Sequence, residues 1–236
     1  MEGVKRYRGI IFDLDGVICA TDEYHYLAWK AVTDRLGIPF ERQRNHLLRG
    51  LSRMDCLEIV LEKSGKSYSE QEKRAIAEEK NSRYLAYVAG MTPDHVSADV
   101  QNTLRALRRR KIPLAIGSSS KNTPLILERL GLGRFFDAVA DGNIVEKSKP
   151  DPEVFLKAAE MLKLPPSDCL VVDDGHAGVA AAAAGGFDCA AIGSAKEDPG
   201  ALWHLELLSD LLRIPGIADT PQRLRGEGNV RGLCGP

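Results

Sequence analysis

The sequence predicts an α/β protein in which a doubly wound parallel sheet carries an all-helical insertion after its first strand. Three observations predict it. Short apolar segments alternate with helical patterns from about residue 98 to residue 214, which is typical of a parallel sheet covered by helices on both faces. An isolated apolar segment, GIIF, lies near the start of the chain. Residues 23–89, between them, contain helical patterns and no convincing strand.

The segment GIIF at residues 9–12 has the length and β-branched content of a buried strand. Asp13 and Asp15 follow it, one residue apart, and then Gly16. Two carboxylates this close repel each other and raise one pKa, unless a cation or a proton lies between them. A solvated Asp-x-Asp-Gly turn is the structural alternative.

The insertion is predicted to consist of helices. Ser69, with Glu72 three residues later, predicts a capping box at the start of a long amphipathic helix. The segment GMTPD at residues 90–94 ends that helix. Because the first strand belongs in one sheet with the later strands, we assign residues 1–19 and 95–214 to a core domain and residues 20–94 to an inserted domain.

In the second half of the chain each helical segment precedes a strand. The pairs are LRALRRR with PLAIGSS, KNTPLILERLGL with DAVA, DPEVFLKAAEML with CLVVDD, and AGVAAAAAGG with DCAAIG. Asp151 with Pro152, and Asp198 with Pro199, each predict the start of a helix. Residues 215–236 contain five glycines and three prolines without apolar periodicity, which predicts a flexible C-terminal tail.

Composition argues against several classes of protein. The 236 residues include 32 Lys and Arg and 33 Asp and Glu, so no global positive field attracts nucleic acid or an anionic membrane. Five cysteines form no C-x-x-C pair, which favours reduced thiols over a disulfide framework or a zinc site. The sequence shows no signal peptide and no apolar run of membrane-spanning length. We therefore expect a cytoplasmic monomer that binds neither nucleic acid nor membranes.

Polar side chains follow four of the predicted strands and should meet, because the carboxyl ends of parallel strands share one edge of the sheet. Carboxylates from separate loops suit Mg²⁺, and hydroxyls, a helix N-terminus and a lysine suit a phosphoryl group. Each set alone has a structural explanation, such as a serine cap or a solvated lysine, but four sets on one edge predict a phosphate site. The sets are Asp13 with Asp15; Ser118, Ser119 and Ser120 with Lys121 and Asn122; Lys149; and Asp173 with Asp174, followed by Gly175 and Gly178.

The order DLDG, GSSS, KP and DD resembles the haloacid dehalogenase superfamily of phosphotransferases, and the helical insertion resembles its mobile cap. The resemblance implies a Rossmann-like core. It implies that Asp13 is the nucleophile, forming an aspartyl-phosphate, that Asp15 is the general acid/base, and that Ser118 and Lys149 bind the transferring phosphoryl group. The implied cofactor is Mg²⁺. The resemblance implies that Asp13, the backbone carbonyl of Asp15 and Asp174 bind this ion, and that Asp173 assists in binding it.

Segments of the inserted domain indicate one family within this superfamily. The segments DEYHYLAWK, LLRGLSRMD and EEKNSRY, with the core segment SSSKN, are similar to the β-phosphoglucomutase family over residues 7–212. That family interconverts β-glucose 1-phosphate and glucose 6-phosphate through glucose 1,6-bisphosphate. The similarity implies that Thr21 lies in a hinge and touches Asp15, and that His25 and Trp29 line the closed site. The implied contacts to the rest of the sugar phosphate are Gly50, Leu51, Arg53, Lys80, Ser120, Lys121 and Asn122.

Three functions stay open at this point. The first is a sugar-phosphate mutase, and the second is a phosphatase of the same fold that passes the phosphoryl group to water. The third is a non-catalytic sugar-phosphate binder, against which Asp13, Asp15 and Lys149 argue. The mutase pattern commonly has Glu before Asp where this chain has Asp173 and Asp174. The shorter Asp173 side chain reaches less far, so we expect it to contact the metal through water.

Overall fold

In the computed structural model, which describes residues 5–217, six parallel strands form one sheet. They are β1 (Gly9–Phe12), β2 (Leu114–Gly117), β3 (Ala138–Ala140), β4 (Cys169–Asp173), β5 (Asp188–Ala191) and β6 (Trp203–His204). Their spatial order is β3-β2-β1-β4-β5-β6. Ile10 of β1 pairs with Leu114 on one side and with Leu170 on the other. This arrangement confirms the predicted doubly wound sheet and makes β1 the strand at which the order reverses, where ligands bind in such folds.

Eight α-helices surround or cover this sheet within the described residues. Between β1 and β2 lie α1 (Asp22–Leu36), α2 (Arg42–His46), α3 (Arg53–Leu61), α4 (Glu70–Val88) and α5 (Ala98–Arg109). Later in the chain lie α6 (Thr123–Arg129), α7 (Glu153–Leu162) and α8 (His176–Ala184). The predicted capping box of Ser69 and Glu72 is present at the start of α4. None of the helices in residues 5–217 is long and apolar enough to cross a membrane.

Both faces of the sheet are buried, which explains the continuous apolar runs in its strands. Ile10 and Phe12 of β1 belong to a hydrophobic cluster that includes residues of α5 and of the short helix Leu208–Arg213. Ile11 belongs to the opposite cluster, with residues of α7 and α8. All three strand residues are 0% exposed, and burying side chains of this size stabilises the fold by about 1.5–3 kcal/mol each.

Helices α1, α3 and α4 enclose a hydrophobic cluster of their own, around Trp29, Leu57 and Val60. These helices lie over the carboxyl end of the sheet, and we refer to residues 20–94 as the cap. The base of the cap joins the main core through Tyr84 and Val88 of α4. The cap therefore has its own packed interior and rests on the sheet domain at one end.

Two predictions concern the end of the chain. The prediction that a helix starts at Asp198 and Pro199 is wrong. Asp198 instead closes a local turn, in which its Oδ1 accepts a hydrogen bond from the Gly200 amide at 2.8 Å. The backbone then enters β6. Of the predicted tail at residues 215–236, the part beyond residue 217 lies outside the described residues, and Ile217 is buried against the core.

Candidate active site

A cavity of about 960 Å³ lies between the carboxyl ends of the strands and the cap. Most of the side chains singled out in the sequence line it. Thr21, Lys149 and Asp173 instead lie behind the cavity wall, each at most 1% exposed. The residues on the wall are Asp13, Asp15, His25, Trp29, Gly50, Leu51, Arg53, Lys80, Ser118, Ser120, Lys121, Asn122 and Asp174.

A buried ion-pair network lies at the end of β1. The Lys149 ammonium is 2.6 Å from Asp13 Oδ1 and 2.8 Å from Asp173 Oδ2. Burial alone would lower the pKa of Lys149, but the charges of Asp13 and Asp173 outweigh it and raise that pKa. Burial raises the pKa of Asp13, and the Lys149 charge opposes this effect. Lys149 is thus a fixed positive charge beside the proposed nucleophile.

Two glycines allow the carboxylates at the end of β4, Asp173 and the following Asp174, to occupy their positions. A Cβ atom on Gly178 would lie only 1.9 Å from Asp173 Cγ. A Cβ atom on Gly16 would lie 2.2 Å from Asp174 Oδ2, and Gly16 has a φ of +85°, a conformation that side chains disfavour. Any larger residue at either position would displace an aspartate of the site.

The acidic group of the site fits a divalent cation. Asp13, Asp173 and Asp174 are buried, and each offers one carboxylate oxygen within 4.8 Å of the others. Burial, and then the charge of Asp173, raise the pKa of Asp174 to about 7, so these oxygens repel one another without a cation. Carboxylate oxygens are the ligands that Mg²⁺ prefers. Asp173 also accepts from Lys149 and from the Gly175 amide, which agrees with an assisting position.

The Asp15 side chain is hydrogen-bonded to a residue at the start of the cap. The Thr21 hydroxyl, immediately before α1, donates a hydrogen bond to Asp15 Oδ1. Burial raises the pKa of Asp15, and the Thr21 hydrogen bond opposes the shift. The contact expected between Thr21 and Asp15 is therefore present in the structure.

On the cap side, the half-buried His25 contacts the buried Lys80. His25 Nδ1 is 2.9 Å from Lys80 Nζ, and the Lys80 ammonium lies over the rings of Trp29 and Tyr84, 5.3 and 4.6 Å from their centroids. Burial lowers the pKa of Lys80 to about 7, and the positive charge of Arg53 adds to the shift. Tyr84, which was not among the predicted site residues, has its ring centroid 4.3 Å from that of His25.

This low pKa gives a prediction about stability. Between pH 7 and the ordinary Lys80 pKa of 10.5, the folded state holds fewer protons than the unfolded state, so the Lys80 contribution to stability rises with pH. We expect it to rise by about 2 kcal/mol between pH 7 and pH 9. Lys80→Met should lack this rise. Urea unfolding of both proteins at each pH gives the difference, and parallel curves would contradict the prediction.

The loop after β2 presents hydroxyl and amide groups to the other side of the cavity. Ser118 Oγ accepts from the Ser120 amide at 3.2 Å, and Ser120 Oγ accepts from the Asn122 amide at 3.2 Å. A Cβ atom on Gly142 would lie 2.4 Å from the Ser119 carbonyl oxygen, so the loop after β3 supports this one closely. The loop leads into α6, whose N-terminus suits an anion.

The cap contacts the sheet domain directly across the cavity. Ser119 Oγ donates to the Gly50 carbonyl at 2.7 Å, and Ser148 Oγ donates to Asp55 Oδ2 at 2.6 Å. Arg49 Nη1 lies 3.2 Å from Asp174 Oδ2. Arg49 was not among the predicted site residues, although it stands next to Gly50 in the segment LLRGLSRMD. Nothing in the local pattern distinguishes it from a surface arginine.

The chain is similar to a known protein family over most of its length. Residues 7–186, more than half of the chain, match the family described as haloacid dehalogenase-like hydrolase. The chain belongs to the haloacid dehalogenase-like hydrolase family. It is 37% identical over 206 residues to a β-phosphoglucomutase of Bacillus subtilis (strain 168), covering 86% of this chain and 91% of that protein.

Other members of the haloacid dehalogenase-like hydrolase family are also similar. A fructose-1-phosphate phosphatase of Escherichia coli (strain K12) is 30% identical over 184 residues, which cover 78% of this chain and 95% of that protein. The crystal structure of a β-phosphoglucomutase from Clostridium difficile superposes with a TM-score of 0.82 at 33% identity, covering 87% of this chain and 93% of that one. The relatives therefore include both a mutase and a phosphatase.

Proposed function

We propose that this enzyme is a Mg²⁺-dependent phosphotransferase that interconverts β-D-glucose 1-phosphate and glucose 6-phosphate. The reaction would pass through an aspartyl-phosphate on Asp13 and a glucose 1,6-bisphosphate intermediate. Asp13, Asp174 and the backbone carbonyl of Asp15 would hold Mg²⁺, with Asp173 assisting. When bound, Mg²⁺ would offset the negative charge of the phosphate and of the carboxylates. The similarity to two β-phosphoglucomutases supports this choice of substrate.

In the first half-reaction, Asp13 Oδ attacks the phosphorus of the bisphosphate while the bond to the sugar oxygen breaks. Asp15 gives a proton to that leaving oxygen. In the second half-reaction, Asp15 takes the proton from a hydroxyl of the incoming sugar monophosphate. The oxygen of that hydroxyl attacks the phosphorus of the aspartyl-phosphate while the bond to Asp13 Oδ breaks, which releases the Asp13 carboxylate. Lys149 and Ser118 hold the transferring group, because positioning and charge stabilisation dominate phosphoryl transfer.

The observation that carries the proposal is the hydrogen bond from Thr21 to Asp15. A mutase must keep its aspartyl-phosphate from reacting with water until a sugar hydroxyl arrives. A base whose carboxylate is already bound at the hinge is less available to activate water, and a cap that closes on a sugar phosphate excludes water as well. Arg53, Lys80, Lys121 and Asn122 line the cavity, and they would bind the non-transferring phosphate.

A phosphatase acting on a small sugar phosphate is the second candidate. It is favoured by the similarity to the E. coli fructose-1-phosphate phosphatase, since both activities use the same core residues and differ in what the cap admits. Supplying β-glucose 1-phosphate, a trace of glucose 1,6-bisphosphate and Mg²⁺ separates the two. A mutase forms mainly glucose 6-phosphate, whereas a phosphatase releases mainly inorganic phosphate.

Arg53→Ala should lower the mutase kcat/KM by about 10- to 100-fold, because it removes a charged hydrogen bond to the non-transferring phosphate. Hydrolysis of the phosphoenzyme should change by less than about threefold, because water needs no distal contact. Both products are measured from one reaction mixture. Arg83→Ala is the matched control, because Arg83 is on α4 and pairs with Glu79 at the surface. The opposite result is a wild type that releases mainly inorganic phosphate, with the ratio of inorganic phosphate to glucose 6-phosphate unchanged in Arg53→Ala. That result would show that the enzyme is a phosphatase.

A further inference from the structure

Arg49 joins three parts of the molecule through one guanidinium group. It lies in the loop between α2 and α3, and its side chain is 20% exposed. Its Nε and Nη2 atoms lie 3.2 and 3.1 Å from the carboxylate oxygens of Asp22, the first residue of α1. Its Nη1 atom lies 3.2 Å from Oδ2 of Asp174, whose side chain is 10% exposed. One cation of the cap thus contacts a carboxylate that belongs to the proposed metal site.

The charges around this contact explain why it forms. Lys149 contacts Asp13 and Asp173, and Arg49 contacts the third member of the acidic group, Asp174. A guanidinium stays protonated at any pH at which the protein is folded. Deprotonation of Arg49 therefore cannot remove the positive charge beside Asp174. Only a movement of the Arg49 side chain can do so.

Other cap contacts end on different groups. The Ser119 hydroxyl donates to the Gly50 carbonyl, and Asn122 donates to Asn81 across the cavity at 3.0 Å. Ser148 donates to Asp55. These bonds fasten the cap without touching Asp13, Asp173 or Asp174. The Arg49 contact differs from them because its core partner is also needed by a metal ion.

We infer that Arg49 is a positioning residue that competes with the divalent cation for Asp174 and so couples closure of the cap to metal binding. The inference rests on the proposed metal site. A cation bound to Asp174 repels the guanidinium and weakens one contact of the cap with the sheet domain. By thermodynamic reciprocity, the closed cap weakens metal binding by the same factor that the metal weakens closure. The enzyme would then load its metal most readily with the cap open.

The direct test measures binding of Mn²⁺, as a probe, to metal-free protein by titration calorimetry at one pH and ionic strength. Arg49→Gln should lower the dissociation constant by about tenfold, a typical size for coupling between two sites. Arg49→Lys keeps the positive charge, so its dissociation constant for Mn²⁺ should stay within about threefold of the wild-type value. Arg42→Gln is the matched control: it removes one positive charge from the cap at an exposed pair with Glu23, and its dissociation constant should not change.

Hydrogen exchange provides a readout of the cap itself. In the wild type, Mn²⁺ should increase amide exchange in residues 49–53 and 118–122, which meet across the cavity. In Arg49→Gln, exchange there should already be raised without metal and should respond little to Mn²⁺. A role of Arg49 confined to the packing of the cap would raise exchange in this variant while leaving the dissociation constant for Mn²⁺ unchanged.

The outcomes separate the two proposals. If the wild type binds no Mn²⁺, the proposed metal site fails and this inference fails with it. If the wild type binds Mn²⁺, and folded Arg49→Gln binds it equally or more weakly, only the competition is refuted. Tighter binding without the change in hydrogen exchange refutes the coupling to the cap. A thermal unfolding curve for each variant establishes that it is folded.

Discussion

Replacing Asp13 by asparagine is expected to lower turnover on the order of 10⁵-fold, similar to the loss of a nucleophile in other covalent catalysts. An amide is a far weaker nucleophile than a carboxylate. It keeps the shape of the side chain, and its oxygen can still accept from Lys149, which lies 2.6 Å from Asp13 Oδ1. We therefore expect the unfolding free energy to change by only about 1 kcal/mol. Steady-state assays and acid-quenched intact mass spectra measure turnover and phosphoenzyme.

The control for this variant is Asp188→Asn. Asp188 is also an aspartate paired with a lysine, Lys5 at 2.7 Å, but it stands at the start of β5, at the opposite end of the sheet. It should retain turnover within about twofold and still form the phosphoenzyme. If Asp13→Asn retains near-normal turnover, or forms a phosphoenzyme, the nucleophile has been misassigned.

The sequence was sufficient for the sheet because burial of β1 to β5 on both faces produces long apolar runs. β6 escaped prediction because it has only two residues, Trp203 and His204, too few to show a pattern. The helix predicted at Asp198 failed for a related reason. An Asp-Pro pair caps a turn as well as a helix, and only the following residues decide between them.

The candidate site was predictable where residues follow strands, because strand ends converge on one edge whatever the loops do. Partnerships across the cavity were not predictable. Arg49 and Tyr84 are distant in sequence from their neighbours Asp174 and His25, and no local periodicity records such contacts. The burial of Lys80 was also not predictable from the sequence, since a lysine in a charged helix is ordinarily exposed.

Replacing Lys149 by methionine is expected to damage both folding and catalysis. The ammonium is 0% exposed and contacts Asp13 and Asp173, so its removal leaves two carboxylates buried without their cation. Breaking a buried pair from one side costs about 3–5 kcal/mol. For a protein of this size the loss lowers the melting temperature on the order of 10 °C. Turnover should fall by about 10³-fold as well, because a positive charge that stabilises the transferring phosphoryl group is lost.

Two further variants distinguish this explanation from a simple packing defect. Lys5→Met removes the lysine of an exposed pair and should cost at most about 1 kcal/mol. The double variant with Asp13→Asn and Lys149→Met should be more stable than Lys149→Met alone, because one of the unpaired carboxylates is then neutral. Equal melting temperatures for the double variant and Lys149→Met would show that lost packing causes the instability. The Lys149 charge would then matter for the phosphoryl group alone, and the ion pairs with Asp13 and Asp173 would contribute little to the fold.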